Sequence, residues 1–144
     1  LRSSLLQWAP RGDGAPRIVL LTPGPYNETY FEHALLARYL GFALVEGNDL
    51  TVRDDRVWLK TISGLERVHA IVRRQDDDYC DPLELRSDSA LGVAGLTDVA
   101  RRGNVLLANA LGSGVLESGA LLGYLPELSR AVGALLRRKA RAQA

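Results

Sequence analysis

The chain has 144 residues, the length of one domain with a real core and too short for two of ordinary size. Its 47% hydrophobic and 24% charged residues exclude wholesale disorder, and a net charge of +1 supplies no global field toward nucleic acid or an anionic membrane. One cysteine, Cys80, excludes a disulfide framework or a multi-cysteine zinc site and suits a reducing, cytoplasmic compartment, while no apolar run approaches the roughly 20 residues of a membrane span.

Residues 1–8 have room for one or two helical turns. Pro10, Gly12, Asp13, Gly14 and Pro16 follow, so 1–16 reads as an N-terminal helix and linker. Ile18-Val19-Leu20-Leu21 is apolar without alternation, the pattern of a strand buried on both faces in a parallel sheet, and Thr22-Pro23-Gly24-Pro25 stops it. A helical pattern begins near Asn27, with Phe31, Ala34, Leu35 and Leu40 as its apolar stripe and Gly41 as its C-terminal cap. Residues 42–45 make a second strand, and this β-turn-α-β opening favours a Rossmann-like sheet.

Leu50-Thr51-Val52-Arg53 and Arg56-Val57-Trp58-Leu59 flank Asp54-Asp55 as a two-stranded hairpin inserted before the next parallel strand. Residues 68–72 form the third core strand, ending in Arg73-Arg74, and the acid-rich stretch 75–89 is long enough to be a functional loop. A helix is expected over 92–102 with Gly103 closing it, then a strand over 105–108 and a helix over 115–125. Pro126 opens a last helix with Leu128, Val132, Leu135 and Leu136 as its apolar face, ending in the basic run Arg137, Arg138, Lys139 and Arg141. The expected fold is α/β: one Rossmann-like, three-layer domain with a mostly parallel sheet of about four strands and an inserted β-hairpin. Its core is 17–125 and its C-terminal helix 126–144. Trp8 and Trp58 read as packing residues.

Open parallel sheets bind ligands outside the carboxyl ends of their strands, and three polar loops fall there. In 22–28, Gly24 lets backbone approach a ligand, Thr22 and Asn27 offer hydrogen-bonding groups, and the helix start offers N–H groups to an anion; Asn27 as a helix N-cap is the structural alternative. In 73–81, alternation sends Arg73 and Arg74 to opposite faces, so at most one guanidinium reaches a pocket to hold a carboxylate or phosphate. Internal pairing of these arginines with Asp77 and its neighbours is the alternative, and Asp76, Asp77 and Asp78 are also carboxylates of the kind magnesium takes. The third loop, Asn109-Ala110-Leu111-Gly112-Ser113-Gly114, resembles a phosphate-cradling turn without a Walker lysine or a dinucleotide fingerprint. No G-x-S-x-G elbow surrounds Ser113 or Ser118, and His33 and His69 lack a second ligand at metal spacing.

In order along the chain, Leu20-Leu21-Thr22-Pro23-Gly24-Pro25-Tyr26-Asn27, Tyr30-Phe31-Glu32-His33, Leu44-Val45-Glu46-Gly47-Asn48-Asp49-Leu50, Arg73-Arg74-Gln75-Asp76-Asp77, Asp81-Pro82-Leu83, Asp88-Ser89-Ala90-Leu91-Gly92 and Asn109-Ala110-Leu111-Gly112-Ser113-Gly114 resemble circularly permuted ATP-grasp proteins over about 17–126. Relatives of that family include glutathionylspermidine synthetase and eukaryotic-type glutathione synthetase, carboxylate–amine ligases that pass through an acyl-phosphate. The resemblance implies the α/β substrate-binding segment, with Thr22, Gly24, Asn27, Arg73 or Arg74, Asp77, Asn109, Gly112 and Ser113 holding a small or peptide-like carboxylate or amine. It implies ATP and magnesium for a longer parent and neither for this segment, because the acidic-Asn-Arg magnesium motif and the lysine-bearing ATP loop have no counterpart here. With the lack of any Met, it leads us to expect a piece of a longer protein. The alternative is a stand-alone Rossmann-like module for a partner protein or small anion.

Overall fold

The apolar run at 18–21 is strand β1 (Ile18–Leu21) of the computed structural model, and all four residues are buried, as a strand covered on both faces requires. The structure describes residues 1–12 and 14–142, at 117 and 135–142 the backbone alone. Asp13, residues 143 and 144 of the expected helix over 126–144, and the side chains of Leu135, Leu136, Arg137, Arg138, Lys139 and Arg141 lie outside the described residues. Two compact units are present, Leu1–Leu111 and Gly112–Ala144.

In the first unit β1 pairs in parallel with β2 (Ala43–Val45) and with β6 (Ala70–Arg73), and β6 pairs in parallel with β7 (Leu106–Ala108). The sheet order is β2-β1-β6-β7. Alternation then divides the core into two. Val19, Leu21 and Ile71 face a cluster with Val45, Leu50, Val57, Leu96 and Val99, whereas Ile18, Leu20, Ala70 and Val72 face Leu5, Ala9 and Ala37. Helices α1 (Arg2–Trp8) and α2 (Tyr30–Leu40) therefore cover one face, and α3 (Leu96–Arg101) with the inserted strands covers the other. This is the three-layer α/β arrangement that the sequence predicts.

Several elements differ in detail. The insertion contains the expected hairpin, β3 (Leu50–Arg53) and β4 (Arg56–Thr61), and extends it by a third antiparallel strand, β5 (Gly64–Val68), into a three-stranded meander. Asp54 and Asp55 turn its first corner with φ of 49° and 55°, the doubly left-handed geometry that fits the twist of a hairpin. The apolar run at 68–72 is split at His69. The backbone N–H groups of His69 and Ala70 both donate to Arg17 O (2.9 and 3.2 Å), and Arg17 N donates to His69 Nδ1 (3.0 Å). The chain passes there from the meander into the parallel sheet.

Helix α2 is rotated from the expected stripe. His33 and Ala37 are buried, while Phe31 and Leu35 are 76% and 58% exposed. Small Ala37 allows close packing on β1, and the buried polar His33 has partners described below. Gly41 caps α2 as expected, with φ of 70°. Trp8 is exposed, not packed; Trp58 is half-buried and donates Nε1–H to Arg53 O (3.1 Å).

Helix α3 is shorter than the predicted 92–102 because a buried carboxylate organises the segment before it. Asp81, fully buried, accepts Leu83 N and Gly95 N at Oδ1 (both 3.0 Å) and Thr97 N at Oδ2 (2.9 Å). A carboxylate at a helix N-terminus satisfies free N–H groups and opposes the positive end of the dipole. In the second unit, 3-10 turns at Ser113–Glu117 and Gly119–Tyr124 replace the predicted helix over 115–125, and α4 (Leu125–Ala142) begins one residue before Pro126. Leu128 and Val132 of its apolar face are half exposed.

Asp81→Ala leaves three backbone donors, from Leu83, Gly95 and Thr97, without their buried acceptor and is expected to cost about 2–4 kcal/mol in urea unfolding. A loss under about 0.5 kcal/mol, typical of a surface change, would contradict this role.

Candidate functional site

Beyond β1 the parallel ladder continues for one more hydrogen bond on each side. Thr22 N donates to Val45 O and Arg74 N donates to Leu21 O, both at 2.9 Å. The loops after β1, β2 and β6 are thus held in register where a parallel sheet places its ligands.

The turn at 22–28 is shaped by a buried polar chain. Asn27 Oδ1 accepts both Thr29 N (2.9 Å) and Thr29 Oγ1–H (2.6 Å). With its one hydrogen so used, Thr29 Oγ1 accepts from His33 Nε2 (3.0 Å), which leaves His33 Nδ1 to accept from Thr22 Oγ1–H (2.9 Å). Thr22 Oγ1 in turn accepts Gly24 N (3.3 Å). Each hydroxyl and ring hydrogen is then used once, and the neutral imidazole satisfies the chain. Burial lowers the His33 pKa from its ordinary value, the Arg74 charge lowers it further, and Glu32 opposes them. Helix α2 starts at Tyr30 with Thr29 as its flanking residue, so Asn27 shapes the turn and is not the N-cap. Gly24 has φ of 103°, which other residues rarely adopt, and a Cβ there would stand 3.2 Å from the Glu46 carboxylate.

Alternation parts the two arginines. Arg73 is buried, and Arg74 is exposed. Arg73 Nε donates to Asn109 O (3.2 Å), Nη2 to Ala110 O (3.3 Å) and Nη1 to Gln75 O, while Nη2 also pairs with Asp77. Its guanidinium is a clamp between the loop after β6 and the loop after β7. The adjacent Cys80 thiol donates to Asp76 O (3.3 Å), and burial pushes its pKa up to about 11, so it is an inert thiol at neutral pH.

Of the predicted residues, Thr22, Gly24 and Asn27 lie in one turn, and Arg74 is tied to β1 beside them. Arg73 and Asp77 form an ion pair that reaches the Asn109 backbone. Gly112 and Ser113 belong to the second compact unit, so the third loop is divided after Leu111. Among the described residues no group of three His, Cys, Asp or Glu side chains is placed to hold a metal, and Asp77 is committed to Arg73. Lys60 donates to Asn48 O (2.8 Å). His33, Glu46 and Asp81 are structural and rim residues that sequence patterns alone do not single out.

A family model described as circularly permuted ATP-grasp type 2 matches residues 1–136. An uncharacterised protein of Mycobacterium tuberculosis is 50% identical over 129 residues, covering 90% of this chain and 15% of the relative. A second uncharacterised M. tuberculosis protein is 48% identical over 128 residues, covering 89% of this chain and 23% of its own length. One from a Synechocystis species is also 48% identical over 128 residues, 89% of this chain and 27% of the relative. The chain thus spans about a quarter or less of these relatives.

Arg73→Ala strips donors from three carbonyls and is expected to destabilise the fold by about 2–4 kcal/mol, against less than about 0.5 kcal/mol for Arg74→Ala, by urea unfolding. Equal effects would contradict the opposed facing of the two side chains. The His33 pKa is lowered in the fold, so the unfolded chain binds more protons. Its contribution to stability is complete above about pH 6.5 and is lost as the pH falls below that value. His33→Gln should therefore flatten the decline in unfolding free energy between about pH 8 and pH 5; an unchanged decline would show that this histidine is not the sensor.

Proposed function

Since the chain belongs to the circularly permuted ATP-grasp family of type 2, we propose that it is the acceptor-binding segment of an ATP-dependent carboxylate–amine ligase. The observation that carries this is the rim itself. Thr22, Gly24, Asn27 and the exposed Arg74 stand at the carboxyl ends of adjacent parallel strands, on a turn whose shape is set by the His33 hydrogen bonds. Arg74 is the cation for a substrate carboxylate, and Arg73, Asp77 and the Asn109 backbone hold the neighbouring loops in place.

ATP-grasp proteins use ATP with magnesium, but the described residues of this chain do not fit that pair. Phosphoryl transfer needs cations and a metal arranged around the transferring group. Here Lys60 is bonded to a backbone carbonyl, Arg73 is spent on carbonyls and Asp77, and no carboxylate cluster is placed for a metal. We assign those steps to the parts of the relatives that this chain does not span. The contribution of this segment is position: a bound, oriented acceptor converts a bimolecular attack into an effectively intramolecular one.

The full-length M. tuberculosis relative is expected to release ADP from ATP in an amine-dependent manner, and this chain alone to release none, measured by a coupled ADP assay. ADP release by the isolated chain would overturn the division of labour. ADP release by the relative that ignores every amine and carboxylate offered would overturn the ligase reading.

A further inference from the structure

The two ladder bonds beyond β1 fix more than loop position. Leu21 is in register with Val45 on one side and Arg73 on the other, so the next residues, Glu46, Thr22 and Arg74, stand level across three adjacent strands. Alternation gives the three a common face. Val45, Leu21 and Ile71 belong to the cluster under α3 and the meander, and Arg73 is in phase with Ile71; the residues that follow turn to the α2 side. Thr22 confirms the phase by bonding His33 of α2, and Arg74 is close enough for its charge to lower the His33 pKa. The Glu46 carboxylate leans toward the centre of the row, 3.2 Å from the Cβ that Gly24 lacks.

The row therefore carries a carboxylate at one end, a guanidinium at the other and a hydroxyl with a glycine between them. Neighbouring strands are about 4.8 Å apart, so the backbones bearing the two charges are separated by about 10 Å, and both side chains are long enough to converge. Glu46 and Arg74 are exposed, and neither has an ion-pair partner among the described residues.

We propose that Glu46 and Arg74 are the two poles of a zwitterion site, which takes the ammonium group of an amino acid or dipeptide at Glu46 and its carboxylate at Arg74. Glu46 keeps a second contact on its own chain, where its side chain accepts Asp49 N and Glu46 N donates to Asp49 Oδ2 (2.8 Å), so the carboxylate is anchored. Gly24 supplies the space beside it, and a side chain at that position would fill the gap between the poles. The inference rests on the reading of this segment as acceptor-holding and gives that acceptor a chemical class.

The test is a backbone amide NMR titration of this chain with glycylglycine, without nucleotide, with acetate and methylammonium as single-charge probes. Saturable shifts are expected at Gly24, Glu46 and Arg74, with each single-charge probe binding at least about tenfold more weakly. Glu46→Gln retains an acceptor for Asp49 N, and Arg74→Gln is a surface change, so both variants fold. Each should weaken glycylglycine at least about fivefold; Glu46→Gln should abolish methylammonium binding alone and Arg74→Gln acetate binding alone. Acetate binding as tightly as glycylglycine, unchanged affinity in either variant, or no saturable shift would overturn the proposal. Glycylglycine binding by a family whose full-length members release no ADP would sink the ligase reading and leave this site standing. ADP release without glycylglycine binding would do the reverse.

Discussion

Because β6 ends with Arg73 on the face that packs against the meander and α3, a buried guanidinium arrives where the carbonyls of Gln75, Asn109 and Ala110 converge. An arginine has five donors in a planar fork and cannot shed its charge, so burying one is costly unless acceptors surround it. Here they come from two loops far apart in sequence, with Asp77 as counter-ion. The loop after β6 is thereby tied to the loop after β7. Gln75 adds its Nε2–H bond to Tyr79 O (2.7 Å), and Asp81 secures the far end of the same loop at α3. A long polar segment with little regular structure is fixed by side chains that hydrogen-bond backbone, which is how an irregular loop satisfies its own polar groups.

The same alternation that buries Arg73 exposes Arg74. One residue of phase separates a structural arginine from an available one, and a slip of one position would exchange them. Such a slip is opposed because it would take Arg73 off the carbonyls of Gln75, Asn109 and Ala110 and undo a pairing that runs from Ile18 with Ala70 to Leu21 with Arg73. On the other flank of β1, the Thr22 N to Val45 O bond carries the register one step past β2 and brings Glu46 beside Gly24. The polar rim is thus an extension of the hydrophobic core: its geometry is set by strands packed on both faces, and its chemistry by the first residues beyond them.

How much of this is legible in the sequence depends on whether a pattern is local. The parallel strands are continuous apolar runs, and the Gly41 cap and the Asp54-Asp55 turn are short-range signals that the structure repeats. The opposed facing of Arg73 and Arg74 also follows from strand periodicity. The buried face of α2 does not, because Phe31 and Leu35 outrank His33 in hydrophobicity while His33 has two threonine partners that no helical periodicity reveals. The third meander strand is hidden for a related reason: 64–73 is one extended stretch, and only the paired contacts of His69 with Arg17 show where one sheet ends and the next begins. Asp81 and Glu46 are equally opaque, since Asp81 acts on Gly95 N and Thr97 N and Glu46 stands beside Gly24, all distant from them in sequence.

These long-range pairings bear on what the rim can do. A group that must meet developing charge in a transition state has to be preorganised and also unspent on the resting protein. Arg73 is preorganised but spent on three carbonyls and Asp77, and Lys60 is spent on Asn48 O. Arg74 and Glu46 have no ion-pair partner among the described residues, though the Glu46 carboxylate accepts Asp49 N, and they are opposite in sign and exposed, which suits a ligand bearing both charges better than a polyanion such as a nucleotide. Phosphate groups would meet Glu46 as a repulsive neighbour of the Arg74 guanidinium, whereas a ligand with both an ammonium and a carboxylate would gain from both side chains. On the proposed reading, the electrostatics of the rim therefore suit a ligand that carries both charges better than a nucleotide.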